Sequence, residues 1–112
     1  MAHGTSSRSK HRRGALRILF EIDINRSSLE EVLDGRRMVG EEKPADFTVE
    51  LVRGVQANLE DINRVISRYA EGWELERMPT VDRNIVRMSI YELFFMDDIP
   101  TGATTQHGRR AL

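Results

Sequence analysis

Apolar residues recur at helical spacing along most of the chain. The first apolar stripe follows the i, i+4, i+7 spacing of one helical face, with neighbouring positions that widen it. Its residues are Ala15, Leu16, Ile18, Leu19, Phe20 and Ile22. The pattern predicts a first helix from about Ser9 to residues 24–26.

A pair of serines predicts the start of a second helix. Ser27 is followed three residues later by Glu30, and Ser28 by Glu31, so both serines fit the capping-box pattern. The apolar residues beyond them continue at helical spacing, and the second helix is expected to end at about Met38.

The longest periodic stretch lies in the middle of the chain. Its apolar residues share one helical face: Phe47, Leu51, Val55, Leu59, Ile62, Ile66 and Tyr69. They predict either one long helix or two helices with a bend within residues 57–61. Gly54 lowers helix stability by about 1 kcal/mol relative to alanine, so its presence indicates close approach of another helix.

A further helix is predicted from about Val81 to Phe95, with Thr80 as its N-cap and Asp82 favouring the helix dipole. It is apolar on much of its circumference, which is typical of a helix buried by several neighbours. No period-two run indicates a strand. The predicted fold class is therefore all-α, with about five helices.

Charge is distributed unevenly along the chain. Residues 1–20 contain five bases and no acid, whereas residues 21–98 contain all 18 acids and ten bases. A basic segment on an acidic body is expected where one end meets an anionic polymer, although a merely solvated terminus has the same composition. The predicted organisation is a disordered basic arm at 1–8, a helical domain at 9–100 and a disordered, atypical tail at 101–112.

The sequence contains no recognisable catalytic or metal-binding chemistry. It has no cysteine, and His3, His11 and His107 lack ligand-like spacing. No phosphate-binding glycine loop or nucleophile motif is present. We therefore expect no enzyme activity, metal or other cofactor. No apolar run approaches the roughly 18 residues of a membrane span, so a cytoplasmic location is expected.

Three blocks of sequence, in the same order, resemble the NusB transcription antitermination family. They are SKHRRGALRILFE at 9–21, FTVELVRGV at 47–55 and WELERMPTVDRNIVRMSIYEL at 73–93. The resemblance covers roughly residues 9–100. It implies an all-helical bundle built from two helical halves and a non-enzymatic RNA-binding factor. It also implies binding to boxA RNA in ribosomal RNA transcripts, together with the ribosomal protein NusE and the RNA polymerase antitermination complex.

The resemblance also suggests which residues carry the function. The RNA contacts would be Arg8, Lys10, Arg12, Arg13 and Arg17, and the residues at or near the NusE face would be Phe20, Glu21 and Asp82. Arg12 falls where the family has an arginine, although His11 replaces the alanine before it. If five charges met phosphate, log K would fall with log salt at a slope of about 3.5.

The chain departs from the family after Pro100. The family continues with two further helices, whereas residues 101–112 here have no helical stripe. We interpret this as a truncation or frameshift. A helix at 81–95 without those two packing partners would expose apolar surface, so a homodimer through this face is expected as one outcome.

Two other functions fit the same sequence. A NusB-like domain also precedes the catalytic domain of some ribosomal RNA cytosine methyltransferases, so the chain could be such a domain detached from its enzyme. It could also be a protein–protein module or a non-functional remnant whose basic arm binds nothing specific. The arginine-rich start favours the RNA-binding factor.

Overall fold

A computed structural model describes the backbone of residues 2–69 and 74–96 and the side chains of residues 7–69 and 74–96. This part of the chain is all-helical, as predicted. Its helices are α1 (Ala2–Asn25), α2 (Leu29–Met38), α3 (Asp46–Ala57), α4 (Leu59–Tyr69) and α5 (Thr80–Ile90). A 3₁₀ turn (Leu75–Arg77) precedes α5, and a π-helical segment (Tyr91–Phe95) continues it. No described helix has the length and apolarity needed to cross a lipid bilayer.

The helix ends follow the predicted capping signals in part. Of the two candidate capping boxes, the structure forms the one of Ser28 and Glu31. The Glu31 backbone N–H donates to Ser28 Oγ at 3.1 Å, and the Ser28 N–H donates to Glu31 Oε1 at 2.8 Å. The prediction that Thr80 is the N-cap of α5 is wrong. Thr80 is the first helical residue of α5, and Pro79 occupies the cap position without a side-chain hydrogen bond.

Helix α1 begins at Ala2, earlier than the predicted start near Ser9. The backbone of residues 2–8, for which disorder was expected, continues this helix. The pattern of apolar residues gives no signal there. Once a helix is nucleated, however, each added residue gains a hydrogen bond without a new nucleation cost. The predicted tail at 101–112 lies outside the described residues.

The long central stretch forms two helices rather than one. Asn58 lies between α3 and α4, and its side-chain Nδ2 donates to the backbone oxygen of Gly54 at 2.8 Å. An asparagine that bonds a nearby carbonyl in this way competes with the regular helical ladder. The break therefore falls inside the predicted bend at residues 57–61.

Gly54 marks a close approach of two helical segments, as predicted. A Cβ atom placed at Gly54 would overlap the ring of Tyr91, which belongs to the π-helical segment after α5. Only a residue without a side chain allows the Tyr91 ring to rest on the backbone of α3. The contact fixes the end of α5 relative to α3.

One apolar core joins all five helices. Helix α1 crosses the centre, packing chiefly on α3 and α5 and also on α2. The buried apolar residues are Ala15, Ile18, Leu19, Ile22, Leu29, Leu51, Val52, Val55, Ile62, Ile66 and Met88. This burial determines which face of α1 turns outward.

A polar cluster joins the end of α1 to α5. Asp23 accepts hydrogen bonds from Arg83 Nε at 2.7 Å and Arg83 Nη2 at 3.1 Å. It also accepts from Asn84 Nδ2 at 3.0 Å and Arg87 Nη1 at 3.2 Å. Arg87 Nε in turn donates to Asn63 Oδ1 on α4 at 3.1 Å. The cluster therefore ties α1 to α5 through one carboxylate, and α5 to α4 through Arg87.

The surroundings of Asp23 favour its charged form. Burial raises the pKa of the carboxyl, but the hydrogen bonds from Arg83 and Asn84 and the charges of Arg83 and Arg87 outweigh it. The pKa of Asp23 therefore lies below its ordinary value of 3.8. Asn84, the most buried polar residue of α5, completes the hydrogen bonding by also donating to the Thr80 carbonyl at 2.8 Å.

Helix α5 is buried on one face only, whereas the sequence predicted burial around much of its circumference. Its inward face carries Asn84 and Met88, whereas Val81 and Ile85 are each 42% exposed. In the π-helical segment Leu93 is 75% exposed. The apolar pattern of this segment did not distinguish the side that meets α1 from the side that meets solvent, because apolar residues occur on both.

Replacing Gly54 tests the close approach of α3 and the π-helical segment. Gly54→Ala is expected to lower the free energy of unfolding by about 1–3 kcal/mol, because the new methyl group displaces the Tyr91 ring. Gly35→Ala on α2 is the matched control. Open space surrounds Gly35, so its replacement should stabilise the protein by about 0.5–1 kcal/mol. Urea unfolding of both variants measures the difference, and equal effects would contradict the proposed contact.

Replacing Asp23 tests the polar cluster. Asp23→Asn is expected to lower the free energy of unfolding at pH 7 by about 1.5–3 kcal/mol, as typical of hydrogen bonds to charged groups. Because folding lowers the pKa of Asp23, its contribution is complete above the unfolded value and is lost as pH falls through the folded value. Unfolding curves of wild type and variant should therefore converge below about pH 3.8.

Asp34→Asn is the control for this comparison, since Asp34 forms an exposed ion pair with Arg37 on the same helix. Exposed pairs contribute little, so this variant should lie within about 1 kcal/mol of wild type at every pH. A constant gap between Asp23→Asn and wild type across the acid range would rule out the assigned role of the charge.

Candidate nucleic-acid interface

Three of the predicted RNA-binding residues form an exposed basic face on α1. Lys10, Arg13 and Arg17 follow i, i+3, i+7 spacing and are all exposed. The opposite face of the helix carries Ala15 and Ile18, which are buried in the core. No carboxylate of the described residues lies within ion-pair distance of these three bases. Burial of the opposite face of α1 therefore turns these three positively charged side chains outward along one side of the helix.

Arg12 is arranged differently, because it pairs with an acid from the far end of the chain. Its Nε donates to Glu92 Oε2 at 2.6 Å. The Arg12 side chain is 42% exposed and that of Glu92 is 22% exposed. The pair ties the early part of α1 to the π-helical segment and neutralises the charge of Arg12.

Arg8 lies against an aromatic ring of α3. Its guanidinium carbon is 4.3 Å from the centroid of the Phe47 ring, which is within the range of a cation–π interaction. His11 also contacts Phe47, with ring centroids 6.1 Å apart and an interplanar angle of 55°. Thr48 Oγ1 donates to the backbone oxygen of His11 at 3.0 Å and holds α1 against the start of α3.

The five predicted RNA-binding bases therefore do not form a single patch. Lys10, Arg13 and Arg17 share the outward face, whereas Arg8 and Arg12, spaced i, i+4, turn toward α3 and the π-helical segment. Charge along the sequence identified the basic segment but carried no information about the partners of each base. The spacing of the five positions around a helix was the signal that divides them.

Two residues of this region had no place in the predicted site. Phe47 was assigned only to the apolar face of its helix, and Glu92 was not singled out. Neither contact could be found from local pattern, since Arg12 and Glu92 are 80 residues apart in sequence.

The three predicted partner-binding residues lie in different surroundings. Phe20 is half-buried and Asp82 is exposed. Glu21 accepts a hydrogen bond from Arg36 Nη2 of α2 at 3.1 Å, which draws it toward α2. Exposed apolar residues lie near Phe20 and Asp82. Ile24, one turn after Phe20, is 54% exposed, and the exposed side chains of Val81 and Ile85 lie near Asp82 on α5.

The described residues contain no group of three or more histidines and acids placed to hold a metal ion. His11 contributes its backbone oxygen and its ring to the contact with α3. The side chains of His3 and His107 lie outside the described residues, as does Trp73.

Comparison with known proteins agrees with the resemblance found in the sequence. The chain is 42% identical over 94 residues to "Transcription antitermination protein NusB" of Acidothermus cellulolyticus, covering 84% of this chain and 65% of that protein. Proteins of the same name from Nocardioides sp. and Salinispora tropica are 42% identical over 95 residues and 44% identical over 96 residues. These matches cover 85% and 83% of this chain, and 70% and 71% of the relatives.

The matched part thus spans about two thirds of the length of these relatives. Their shared name is that of a transcription antitermination factor and not of an enzyme. A sequence profile of the NusB family matches residues 9–107, so the similarity continues beyond Pro100, where the resemblance was expected to end. With most of its length matched by the profile, the chain belongs to the NusB family.

Proposed function

We propose that this chain is an RNA-binding transcription antitermination factor that binds boxA RNA in ribosomal RNA transcripts. The observation that carries the proposal is the outward basic face of Lys10, Arg13 and Arg17 on a helix whose other face is held in the core. The names of its relatives support the same function.

The basic face suits a single-stranded polyanion. Lys10 and Arg17 are separated by seven residues, which is about 10 Å along a helix, so the three side chains follow one direction. Two of the three are arginines, whose planar fork pairs well with phosphate. Phosphate contacts position a strand without reading its sequence, so base recognition requires further groups on this protein or a partner.

We also infer a protein partner, the ribosomal protein NusE, and through it the antitermination complex on RNA polymerase in the cytoplasm. Phe20 and Asp82 remain the proposed contacts, and the exposed apolar side chains of Ile24, Val81 and Ile85 add surface of the kind that protein interfaces bury. Glu21 is a weaker candidate, since it already pairs with Arg36.

The detached methyltransferase domain and the inactive remnant are less well supported, since the relatives described above are antitermination proteins. Filter binding to boxA RNA and to a scrambled RNA, with and without NusE, separates these functions. Selective binding that NusE strengthens supports the proposal. A remnant would show no selectivity, and homodimer formation through α5 would appear as a concentration-dependent mass in NusE-free samples.

Single replacements on α1 test the basic face. Lys10→Ala, Arg13→Ala and Arg17→Ala should each weaken RNA binding and reduce the slope of log K against log salt by about 0.7, because each removes one phosphate contact. Arg64→Ala on α4 is the control, since Arg64 pairs with Asp61 away from α1. Fluorescence anisotropy across a salt series measures the slopes. If Arg64→Ala had the same effect as the α1 variants, the face would not be the site.

A separate prediction concerns the effect of the Arg12–Glu92 ion pair on the salt dependence of RNA binding. Glu92 already neutralises Arg12, so Arg12→Ala should leave the salt slope nearly unchanged. Glu92→Gln frees the charge of Arg12 and should steepen the slope by about 0.7, with tighter binding at low salt. A slope that falls in Arg12→Ala as much as in Arg13→Ala would show that RNA displaces Glu92 from Arg12.

A further inference from the structure

We propose that Lys10 is a modification site at which acyl phosphates, the mixed anhydrides of a carboxylic acid and phosphate, transfer their acyl group to the protein. Lys10 belongs to the basic face of α1, so the modification lowers RNA binding. This effect on RNA rests on the function proposed above and adds a form of regulation to it. The reaction at Lys10 itself does not require RNA.

Lys10 is the one side chain of the basic face that can lose its charge by acylation. The chain has two lysines, Lys10 and Lys43, among its 17 lysines and arginines. A lysine amine is a nucleophile once it has lost its proton, whereas an arginine guanidinium stays charged in proteins. Lys10 is exposed, and no carboxylate of the described residues lies within ion-pair distance of it. Its amine is therefore open to a reagent from solvent.

Arg13 lies where it can hold the phosphate of the acyl donor beside Lys10. It follows Lys10 by three residues on the same exposed face, which places the two Cβ atoms about 5–6 Å apart. Its planar guanidinium pairs well with phosphate oxygens. In an acyl phosphate a single oxygen joins the carbonyl carbon to phosphorus. A phosphate held by Arg13 thus brings that carbon within reach of the Lys10 amine, and Arg17, one turn further on, adds positive potential.

The other lysine lies in opposite electrostatic surroundings. Lys43 is exposed in the loop between α2 and α3, where it lines a cleft between these helices. The same cleft is lined by four carboxylates, those of Glu41, Glu42, Asp46 and Glu50. Each arginine that lines the cleft is already paired with a carboxylate. A doubly negative acyl phosphate is therefore drawn to Lys10 rather than to Lys43, although both amines reach solvent.

The reaction is an acyl transfer without oxidation or reduction. The Lys10 ammonium loses a proton to water, and Nζ attacks the carbonyl carbon of the acyl phosphate. The bond between that carbon and the bridging oxygen breaks, and the leaving phosphate takes the second proton of the amine. The products are an amide at Nζ and inorganic phosphate. Because the amide is uncharged, one phosphate contact is lost, and RNA affinity should fall about five-fold at about 0.1 M salt.

The first experiment compares the two lysines with two acyl donors. Acetyl phosphate is the charged donor and p-nitrophenyl acetate the uncharged control, and peptide mass spectrometry measures the initial rates of acetylation. The ratio of the Lys10 rate to the Lys43 rate should be at least about three-fold higher with acetyl phosphate. Arg13→Ala should lower that ratio toward the value for the uncharged ester. Arg64→Ala, which removes an exposed arginine of α4, should leave it unchanged.

An equal ratio for the two donors, or an unchanged ratio in Arg13→Ala, would overturn Lys10 as a site selected by acyl phosphates. Exposure alone would then account for its acetylation. Added salt gives a second check, since it screens exposed charges. It should lower the ratio for acetyl phosphate and leave that for the ester unchanged, and the reverse would count against the role of Arg13.

The second experiment measures RNA binding before and after acetyl phosphate treatment, so that each protein is its own reference. Treatment should reduce the salt slope of wild type by about 0.7. Lys43→Arg should respond as wild type does, whereas Lys10→Arg, which has no reactive amine on this face, should not respond. An unchanged slope in wild type acetylated at Lys10 would overturn the effect on RNA. Absence of RNA binding by untreated wild type would overturn the proposed function, while the ratio of rates still decides the modification site.

Discussion

Burial of one face of α1 is the constraint on which the rest of the structure depends. Ala15, Ile18 and Leu19 are almost completely removed from solvent and pack on α3 and α5. Burying each large side chain of this kind contributes about 1.5–3 kcal/mol, so rotation of α1 about its axis would be costly. That fixed orientation turns Lys10, Arg13 and Arg17 outward together. The candidate RNA site is therefore a consequence of the core rather than an addition to it.

Periodicity and local capping signals were enough to predict the main elements. The apolar face from Phe47 onward, the box of Ser28 and Glu31 and the glycine at position 54 each act through neighbours close in sequence or through a strict steric need. Such signals are readable because only a small set of residue types satisfies each local requirement. The fold class and most helix boundaries followed from them.

The candidate site could be predicted only as far as its composition. The basic segment was visible in the sequence, and helical spacing places Arg12 and Arg13 on different sides of α1, but neither signal identifies the partner of Arg12. Glu92 pairs with Arg12 and leaves Arg13 exposed, and this depends on how α1 and α5 cross. The inward polar face of α5 was missed for the same reason. Asn84 and Arg87 read as surface residues until Asp23 of α1 is placed opposite them.

Two polar contacts of helix α1 are made with residues late in the chain. Asp23 bonds to Arg83 and Arg12 to Glu92, at sequence separations of 60 and 80 residues. Chains emerge from the ribosome beginning with the N-terminus at about 5–20 residues per second, so α1 is made seconds before α5. During that interval its apolar face lacks the α5 side of the core, and Arg12 has not yet met Glu92. A nascent chain therefore presents a more strongly cationic, half-covered helix than the finished protein does.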